Sequence, residues 1–450
     1  MKRRKILAAT ATALVAAAFG ATSPVIAADT SVQFYGHLDL SADSATKGIE
    51  QGGAGQNPAP VGKVGWQADV SSNLSYFGFR GDHDLGGGYK MLFQAETQVD
   101  VAATPGPSPV NQASQGNVDN KVQAALGSRN SFLGIAGNFG AFKIGKTDAP
   151  YKLSTARMDP FSASVGDYNS IMGNTGGDNR AEFDTRLSHA VWYESNKMGG
   201  FSYSVLAAPG QNRASDNSNN ASGEPDCTGG GGGVTGTGPG IPPAPVGPCN
   251  DGSFGDAYSV AGVYEAGPLY GIVAYELHRQ SNRSGDDGAI GTVGVADERA
   301  MKVGVQYKVA SNTTINVILE RMTRNAPVSA ANERQRNGSW LALTQKVTGQ
   351  DDVNLGWAHA GKTPGDPGTG PIDNVANMYT VGYKHHFDRQ SNWYAVYARQ
   401  ANHTGAHYDL GASGHGITTD CKDGGGAVTP ATCFTGETLQ AVSVGWMYSF

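Results

Sequence analysis

The chain has few long apolar runs and little charge, and each shortage excludes a class of protein. After its first 27 residues, no stretch approaches the roughly 18 consecutive apolar residues that a membrane-spanning helix needs. Charged residues make up 16% of the 450 residues, and the mean hydropathy is −0.34. Glycine, with 64 residues, takes about twice its usual share. This composition is unusual for a globular enzyme and suits a barrel whose strands alternate lipid-facing and water-facing side chains.

The first 27 residues have the features of a secretory signal peptide. A basic segment at residues 2–5 precedes an apolar segment from about Ile6 to Gly20, and residues 25–27 fit a cleavage site after Ala27. We therefore expect export and one mature domain over residues 28–450. Loss of the four basic residues leaves 29 Lys and Arg against 39 Asp and Glu, a net charge of about −10. This charge disfavours nucleic acid as a partner and mildly favours cations.

The four cysteines fall into two local pairs. Cys227 and Cys249 share one Gly- and Pro-rich segment, and Cys421 and Cys433 share another. Export permits disulfides, and three pairings are possible in principle. We predict local pairing within each loop. A zinc site is the rival interpretation, but no Cys-x-x-Cys or clustered histidine supports it.

Period-two alternation of apolar and polar residues is the dominant pattern along the chain. It is clear in "VQFYGHLDL", "AMKVGVQYKV", "TTINVILE" and "DDVNLGWAHA". Seven tight turns separate pairs of such segments, and eight longer polar segments join the pairs. The longer segments are residues 42–65, 101–126, 148–184, 210–254, 280–298, 323–336, 362–374 and 404–436. The pattern predicts a 16-stranded antiparallel transmembrane β-barrel with short turns on one side and long loops on the other.

The last segment, "TLQAVSVGWMYSF", places its apolar side chains on one face of a strand. Val442, Val444, Trp446, Tyr448 and Phe450 share that face. An exposed apolar edge strand would promote aggregation, so we expect this strand to pair with "VQFYGHLDL" and to face lipid. A soluble β-sandwich is the alternative, but sandwiches rarely need sixteen strands with such regular loop asymmetry.

Residues 140–147, "GAFKIGKT", match the phosphate-binding pattern G-x-x-x-x-G-K-[ST]. That mechanism needs a glycine-rich loop between a strand and a helix N-terminus. Here the segment itself alternates as a strand, and "DAPYKL" follows, with Pro150 and no convincing helix start. We therefore expect Lys143 to point into the barrel. The sequence spacing also shows no catalytic triad, paired-carboxylate signature or metal-ligand cluster, so we expect neither an enzyme nor a cofactor.

Several segments together resemble the general trimeric porins of Gram-negative outer membranes, in the style of beta- and gammaproteobacteria. They are "FYGHLDLS", "SYFGFRGDHDLGGGYKMLFQAE", "SRNSFLGIAGNFGAFKIGK", "TVGYKHHFDRQSNWYAVYAR" and the terminal "VGWMYSF". The resemblance implies an outer-membrane homotrimer that contacts lipid and lipopolysaccharide. It also implies periplasmic turns, external loops and a third loop, residues 148–184, that folds inward and narrows the pore.

The resemblance further implies acidic residues on the third loop opposite basic residues on the barrel wall. On the loop, Asp159, Asp167 and, more weakly, Glu182 match the acidic side. Strand parity places a second set of polar side chains toward the lumen. This wall set comprises Tyr76, Arg80, Glu96 and Lys143. The resemblance adds Arg186, which keeps a family arginine position, and His37, which replaces a basic residue. Tyr76 and Phe132 stand where the family has arginines, so the basic wall is thinner here.

The expected function is passive diffusion of small hydrophilic solutes and ions through a water-filled pore, with a weak cation preference. A substrate-specific channel on the same barrel is the alternative, since Tyr76 and Phe132 alter the lining. A third alternative is an outer-membrane adhesin that uses the loops around residues 227–249 and 421–433. An outer-membrane enzyme would need a nucleophile and base that the sequence spacing does not reveal.

Overall fold

The computed structural model describes most of the chain between Asp29 and Phe450. The described residues are 29–47, 65–102, 127–173, 183–210, 251–253, 255–283, 295–324, 335–362, 375–404, 406, 408, 410 and 438–450. The predicted signal peptide, Glu182 and all four cysteines lie outside them. Among the described residues, no helix is long and apolar enough to cross a membrane.

Strands dominate the described residues. They are β1 (Thr30–Lys47), β2 (Gly65–Ser72), β3 (Tyr76–Gly86), β4 (Tyr89–Gln98), β5 (Ser131–Gly137), β6 (Gly140–Asp148), β7 (Arg186–Glu194), β8 (Phe201–Pro209), β9 (Asp251–Ser253), β10 (Asp256–Ala266), β11 (Leu269–Arg283), β12 (Val295–Ala310), β13 (Thr313–Arg324), β14 (Arg336–Lys346), β15 (Asp351–Ala360), β16 (Ala376–His386), β17 (Ser391–Asn402) and β18 (Thr438–Ser449). One short helix, α1 (Pro150–Thr155), and two 3-10 turns (Ala156–Met158 and Tyr168–Ser170) lie between β6 and β7.

These strands form one closed antiparallel barrel. β2 and β3 pair with the two halves of β1, and β9 and β10 both pair with β11, so eighteen segments make sixteen barrel strands. β18 pairs with β1 and closes the sheet. Seven short turns and eight longer connections join the barrel strands, which confirms the predicted barrel and its asymmetry. We call the end of the barrel with the short turns the turn side and the opposite end the loop side.

The predicted loop boundaries were wrong by several residues at the loop side. β1 continues to Lys47 although the first loop was predicted to begin at residue 42. Likewise, β11 continues to Arg283 and β12 begins at Val295, inside the predicted loop 280–298. The reason is that polar residues can pair in a β-ladder above the lipid-facing band, where the apolar alternation has already ended.

The outward face of the barrel is apolar, with aromatic side chains near the turn side. In β12, the exposed side chains of Met301, Val303, Val305 and Tyr307 alternate with the buried side chains of Lys302 and Gln306. In β18, Trp446 is 61% exposed while Ser443 is fully buried. Ring contacts such as Phe34–Phe79 (5.1 Å between centroids) and Phe387–Trp446 (5.6 Å) form an aromatic belt. This arrangement is that of a lipid-facing wall.

The segment between β6 and β7 folds into the barrel and supplies its core. Met158, Phe161, Val165, Tyr168 and Ile171 are buried against Trp340, Ile318 and Ile272, which point inward from β14, β13 and β11. Phe161 and Tyr168 both contact the Trp340 ring, with centroids 6.2 and 5.7 Å away. The barrel therefore contains a packed core on one side, made by a loop rather than by the wall alone.

Candidate pore lining and constriction

The third loop, residues 149–185, is fixed to the wall through Glu320 of β13. One Glu320 oxygen accepts a hydrogen bond from the Gly173 amide at 2.9 Å, and the other accepts from the Tyr151 hydroxyl at 2.7 Å. Glu320 and Tyr151 are both buried. Buried hydrogen bonds to a carboxylate are among the stronger ones in proteins, so Glu320 is a principal anchor of the loop.

Further hydrogen bonds attach the third loop to β11 and β14. The Tyr270 hydroxyl donates to the Ser154 carbonyl at 2.8 Å, and the Trp340 indole N–H donates to the Met158 carbonyl at 3.1 Å. The Arg336 guanidinium donates to the Ile171 carbonyl. These contacts use backbone carbonyls that a loop inside a barrel would otherwise leave unsatisfied.

Small residues on the wall make room for the loop. A Cβ at Gly356 or Gly382 would lie 2.9 Å from ring atoms of Phe161, and one at Gly304 would lie 3.1 Å from the Met158 side chain. On the loop itself, a Cβ at Gly166 would lie 2.3 Å from Thr380. Neighbouring wall strands therefore carry glycine where the loop packs most closely.

Asp159 and Asp167, predicted as acidic constriction residues, are buried within the loop. Asp159 accepts hydrogen bonds from the Phe161 and Tyr168 amides, at 2.9 and 3.1 Å. Asp167 accepts from the Asn169 and Ala163 amides, at 2.9 and 2.8 Å. Burial and the nearby charge of Asp167 raise the pKa of Asp159 well above its ordinary value. Asp159 and Asp167 therefore stabilise the conformation of the loop. Their contribution to an electric field across the pore stays a prediction.

A third buried acid, Asp184, lies at the end of the loop and was missed by the sequence reasoning. Its carboxylate is 2.5 Å from the Lys302 ammonium, which also donates to the Thr155 hydroxyl at 2.7 Å and lies 3.9 Å from the centre of the Tyr151 ring. Burial raises the pKa of Asp184 to about 6, although the Lys302 charge opposes this. Lys302 therefore joins the loop's two ends to β12.

On the barrel wall, cations lie over aromatic rings. The Arg80 guanidinium lies 4.6 Å from the centre of the Tyr35 ring, and the Arg129 guanidinium lies 4.5 Å from the Tyr76 ring. Glu96 links the two pairs, since it accepts a hydrogen bond from the Tyr35 hydroxyl at 2.9 Å and from Arg129 at 2.5 Å. The wall charge at Arg129 is therefore balanced by a carboxylate.

A further ring–cation pair joins β5 and β6. The Lys143 ammonium lies 4.8 Å from the centre of the Phe132 ring, which meets Trp192 edge-on at 5.4 Å. Glu194 binds Lys143 at 2.7 Å and accepts a hydrogen bond from the Trp192 indole at 2.9 Å. Lys143 therefore lies in a strand and contacts Glu194, which is incompatible with a phosphate-binding loop.

A helix does begin at Pro150, contrary to the sequence reasoning, because proline is favoured in the first turn of a helix.

The comparison with known proteins identifies the family. A family model described as Gram-negative porin matches residues 9–405. The chain belongs to this porin family. It is therefore a β-barrel of the Gram-negative outer membrane.

Among porins, the chain is similar to two neisserial proteins. It is 23% identical over 377 residues to the major outer membrane protein P.IB of Neisseria meningitidis serogroup B, covering 80% of this chain and 96% of that protein. It is 29% identical over 178 residues to the major outer membrane protein P.IA of serogroup A, covering 40% of this chain and 39% of that protein. The P.IA match therefore spans about two fifths of that relative's length.

A solved porin shares the fold at low identity. The anion-selective porin from Comamonas acidovorans superposes with a TM-score of 0.61 at 18% identity, covering 94% of this chain and all of that one. The likeness shows the porin fold over nearly the whole chain.

At Tyr76 and Phe132, where the resemblance implied arginines, a cation lies beside each ring. The Arg129 guanidinium lies over the Tyr76 ring, and the Lys143 ammonium lies over the Phe132 ring. A positive charge is therefore present beside both positions. The sequence reasoning did not assign Arg129 to the wall, although Arg129 follows the predicted loop 101–126 and precedes β5. It does lie in the porin-like segment "SRNSF", which is the signal that could have found it.

Two other wall residues predicted for this porin have structural contacts. Arg186 lies at the base of the third loop, where it binds Asp148 at 3.1 Å and donates to the Asn130 side-chain oxygen at 2.8 Å. Since Asp148 ends β6 and Arg186 begins β7, this pair closes the neck of the loop. His37 stacks on Tyr76 at 5.6 Å and lies 2.9 Å from the Ser449 hydroxyl. Their roles in ion selection stay predictions.

Proposed function

We propose that this porin is a passive diffusion channel for small hydrophilic solutes and ions. The observation that carries the proposal is the closed sixteen-strand barrel with a polar, charged wall opposite an inward-folded loop. Sixteen strands enclose more space than side chains alone fill. The third loop takes one side of that space, and the ring–cation wall lines the other.

Ion selectivity in this channel is weak. Arg129 and Lys143 are paired with Glu96 and Glu194, so the wall contributes little net charge. Asp159 and Asp167 are bound to the loop's own backbone and contribute less field than two exposed carboxylates would. The negative charge of the mature chain then gives a slight cation preference.

The test is the reversal potential of the purified protein in a planar bilayer under a potassium chloride gradient. We expect large, stable conductance steps and a small potential on the cation side. A potential on the anion side would overturn the selectivity proposal alone. Absence of conductance from protein that is folded, as judged by a heat-dependent gel shift, would overturn the channel itself.

Family membership also supports a homotrimer that contacts lipid and lipopolysaccharide. The aromatic belt near the turn side fits the periplasmic lipid boundary. At the loop side, the exposed arginines Arg299, Arg321 and Arg399 fit the phosphates of lipopolysaccharide in the outer leaflet. Conductance steps in threes and a trimer-sized band after cross-linking are the expected results.

A further inference from the structure

A polar cavity of 330 Å³ lies at the turn side of the barrel, beneath the third loop. Its wall comes from β12 to β16, and Arg157 and Pro160 of the loop form its roof. The side chains that line the wall are Gln306, Lys308, Thr314, Asn316, Thr344, Asp352, Asn354, Lys384 and His386. None of these is apolar, and the volume is at the small end of ligand sites.

The side-chain oxygen of one amide in the cavity wall has no hydrogen-bond partner within the described part of the chain. Asn354 is 4% exposed, and its side-chain oxygen has no hydrogen-bond partner among the described residues. Asn354 also lines a small adjoining space with Pro160 and Lys384. Because a buried amide oxygen without a partner costs free energy, the Asn354 oxygen in the cavity wall is available to accept a hydrogen bond from a ligand hydroxyl.

The cavity is also basic. Lys308 and Lys384 form no ion pair within 4 Å among the described residues, whereas Asp352 is held by His386 at 2.9 Å. Arg157 at the roof is bound to Glu265 at 2.8 Å. Lys384 also feels the charges of Asp39, Asp159 and Asp352. Each of these carboxylates already has a hydrogen-bond partner, so the ammonium groups of Lys308 and Lys384 are open to an anion.

From this combination we propose that the cavity binds a small polyhydroxylated carboxylate, such as a six-carbon sugar acid. The ligand's carboxylate binds Lys384, or Lys308 at the opposite rim. Its hydroxyl groups donate to the Asn354 oxygen and exchange hydrogen bonds with Thr314 and Thr344. The inference rests on the proposed function, since it assigns a solute class to the diffusion channel.

The experiment measures block of the single-channel current in potassium chloride by gluconate. Glucose, which has the hydroxyls without the charge, and acetate, which has the charge without the hydroxyls, are the matched probes. We expect saturable block by gluconate, with an apparent affinity about tenfold higher than for either probe. Equal block by gluconate and acetate would overturn the proposal, while the unblocked conductance in salt alone tests the channel separately.

Substitutions locate the site. Asn354→Ala and Lys384→Gln are each expected to weaken gluconate block about tenfold. Lys308→Gln, at an exposed position that folding tolerates, is expected to weaken it by a smaller factor. Lys90→Gln removes a lysine on β4, five strands around the barrel, where it pairs with Asp82 at 2.9 Å; it is expected to leave block unchanged. Unchanged block in folded Asn354→Ala and Lys308→Gln channels would overturn the site.

Binding to the detergent-solubilised protein gives a readout that does not depend on conductance. Calorimetric titration with gluconate is expected to show one site per chain, lost in Lys384→Gln. Heat signals equal to those of acetate would count against the site even if the channel conducts normally.

Discussion

The ring of Phe450 lies against the backbone of Gly36. A Cβ at position 36 would lie 2.4 Å from the Phe450 Cζ atom. The two residues also exchange backbone hydrogen bonds, at 3.0 and 3.1 Å, where β18 meets β1. The last residue of the chain and the first barrel strand therefore complete the closure together.

Gly36→Ala is expected to weaken this closure. The added methyl group must displace the Phe450 ring, and overpacking of this kind costs about 1–3 kcal/mol. The readout is the urea or heat midpoint of unfolding, followed by the gel shift of the folded barrel. Gly271→Ala is the matched control, since a Cβ there meets no atom within 4 Å. Equal midpoints for the two variants would contradict the role of the contact.

Glu96→Gln is expected to shift ion selectivity toward anions. The amide still accepts the Tyr35 hydrogen bond but no longer neutralises Arg129, which lies 2.5 Å away. The reversal potential under a salt gradient measures the shift. Asp82→Asn removes the same charge from a more exposed pair with Lys90 and is expected to shift it less. A larger effect of Asp82→Asn would refute this account of the wall.

Glu320→Ala is expected to loosen the third loop. It removes the acceptor for both the Gly173 amide and the Tyr151 hydroxyl, at a cost of about 1–3 kcal/mol for each buried donor left without a partner. Single-channel recordings should show larger current fluctuations. Tyr151→Phe removes only one of the two bonds and should give an intermediate result. Recordings as quiet as those of the unmodified channel would show that other contacts suffice.

The stability of the barrel is expected to fall as pH rises from about 4 to 6, through Asp184. Its pKa rises from an ordinary 3.8 to about 6 in the folded protein. The folded state therefore binds a proton more tightly than the unfolded state, so this contribution is present below pH 4 and lost above pH 6. Unfolding midpoints across this range measure the slope, which Asp184→Asn should flatten.

Asp388 provides the contrast for that measurement. Hydrogen bonds from the Gln390 amide and the Ser391 side chain lower the pKa of this exposed turn carboxylate. Its small contribution is present at neutral pH and lost as pH falls, so Asp388→Asn should keep the slope between pH 4 and 6. Flattening by Asp388→Asn rather than Asp184→Asn would contradict the assignment.

The sequence was sufficient to predict which way strand residues point. Around Phe79 and Trp446, apolar and polar residues alternate with a period of two. Because lipid lies on one side of the wall and water on the other, the apolar residues of a strand must all point to the lipid side. The same reasoning predicted sixteen strands and the asymmetry of turns and loops. These features depend on residues that are close in the chain, so they can be predicted from a single sequence.

The contacts of the third loop could not be predicted in this way. Tyr151 and Glu320 are 169 positions apart, and no period links them. For Asp159 and Asp167, the sequence gives the charges but not their burial, which depends on how the loop turns back on itself. Arg186 was assigned to the wall because it matches a porin arginine in the sequence resemblance, yet Asp148 binds it at the loop neck.

The inward loop gives this barrel two walls with different tolerances for change. Along β11 to β16, residues such as Trp340 and Gly356 fit the loop as they would in the interior of a water-soluble protein. On β3, the exposed side chain of Arg80 meets solvent, whereas Glu96 on β4 is buried. Substitutions at exposed lumen positions such as Arg80 can therefore alter what the channel admits at little risk to folding, so permeability and stability can evolve almost separately.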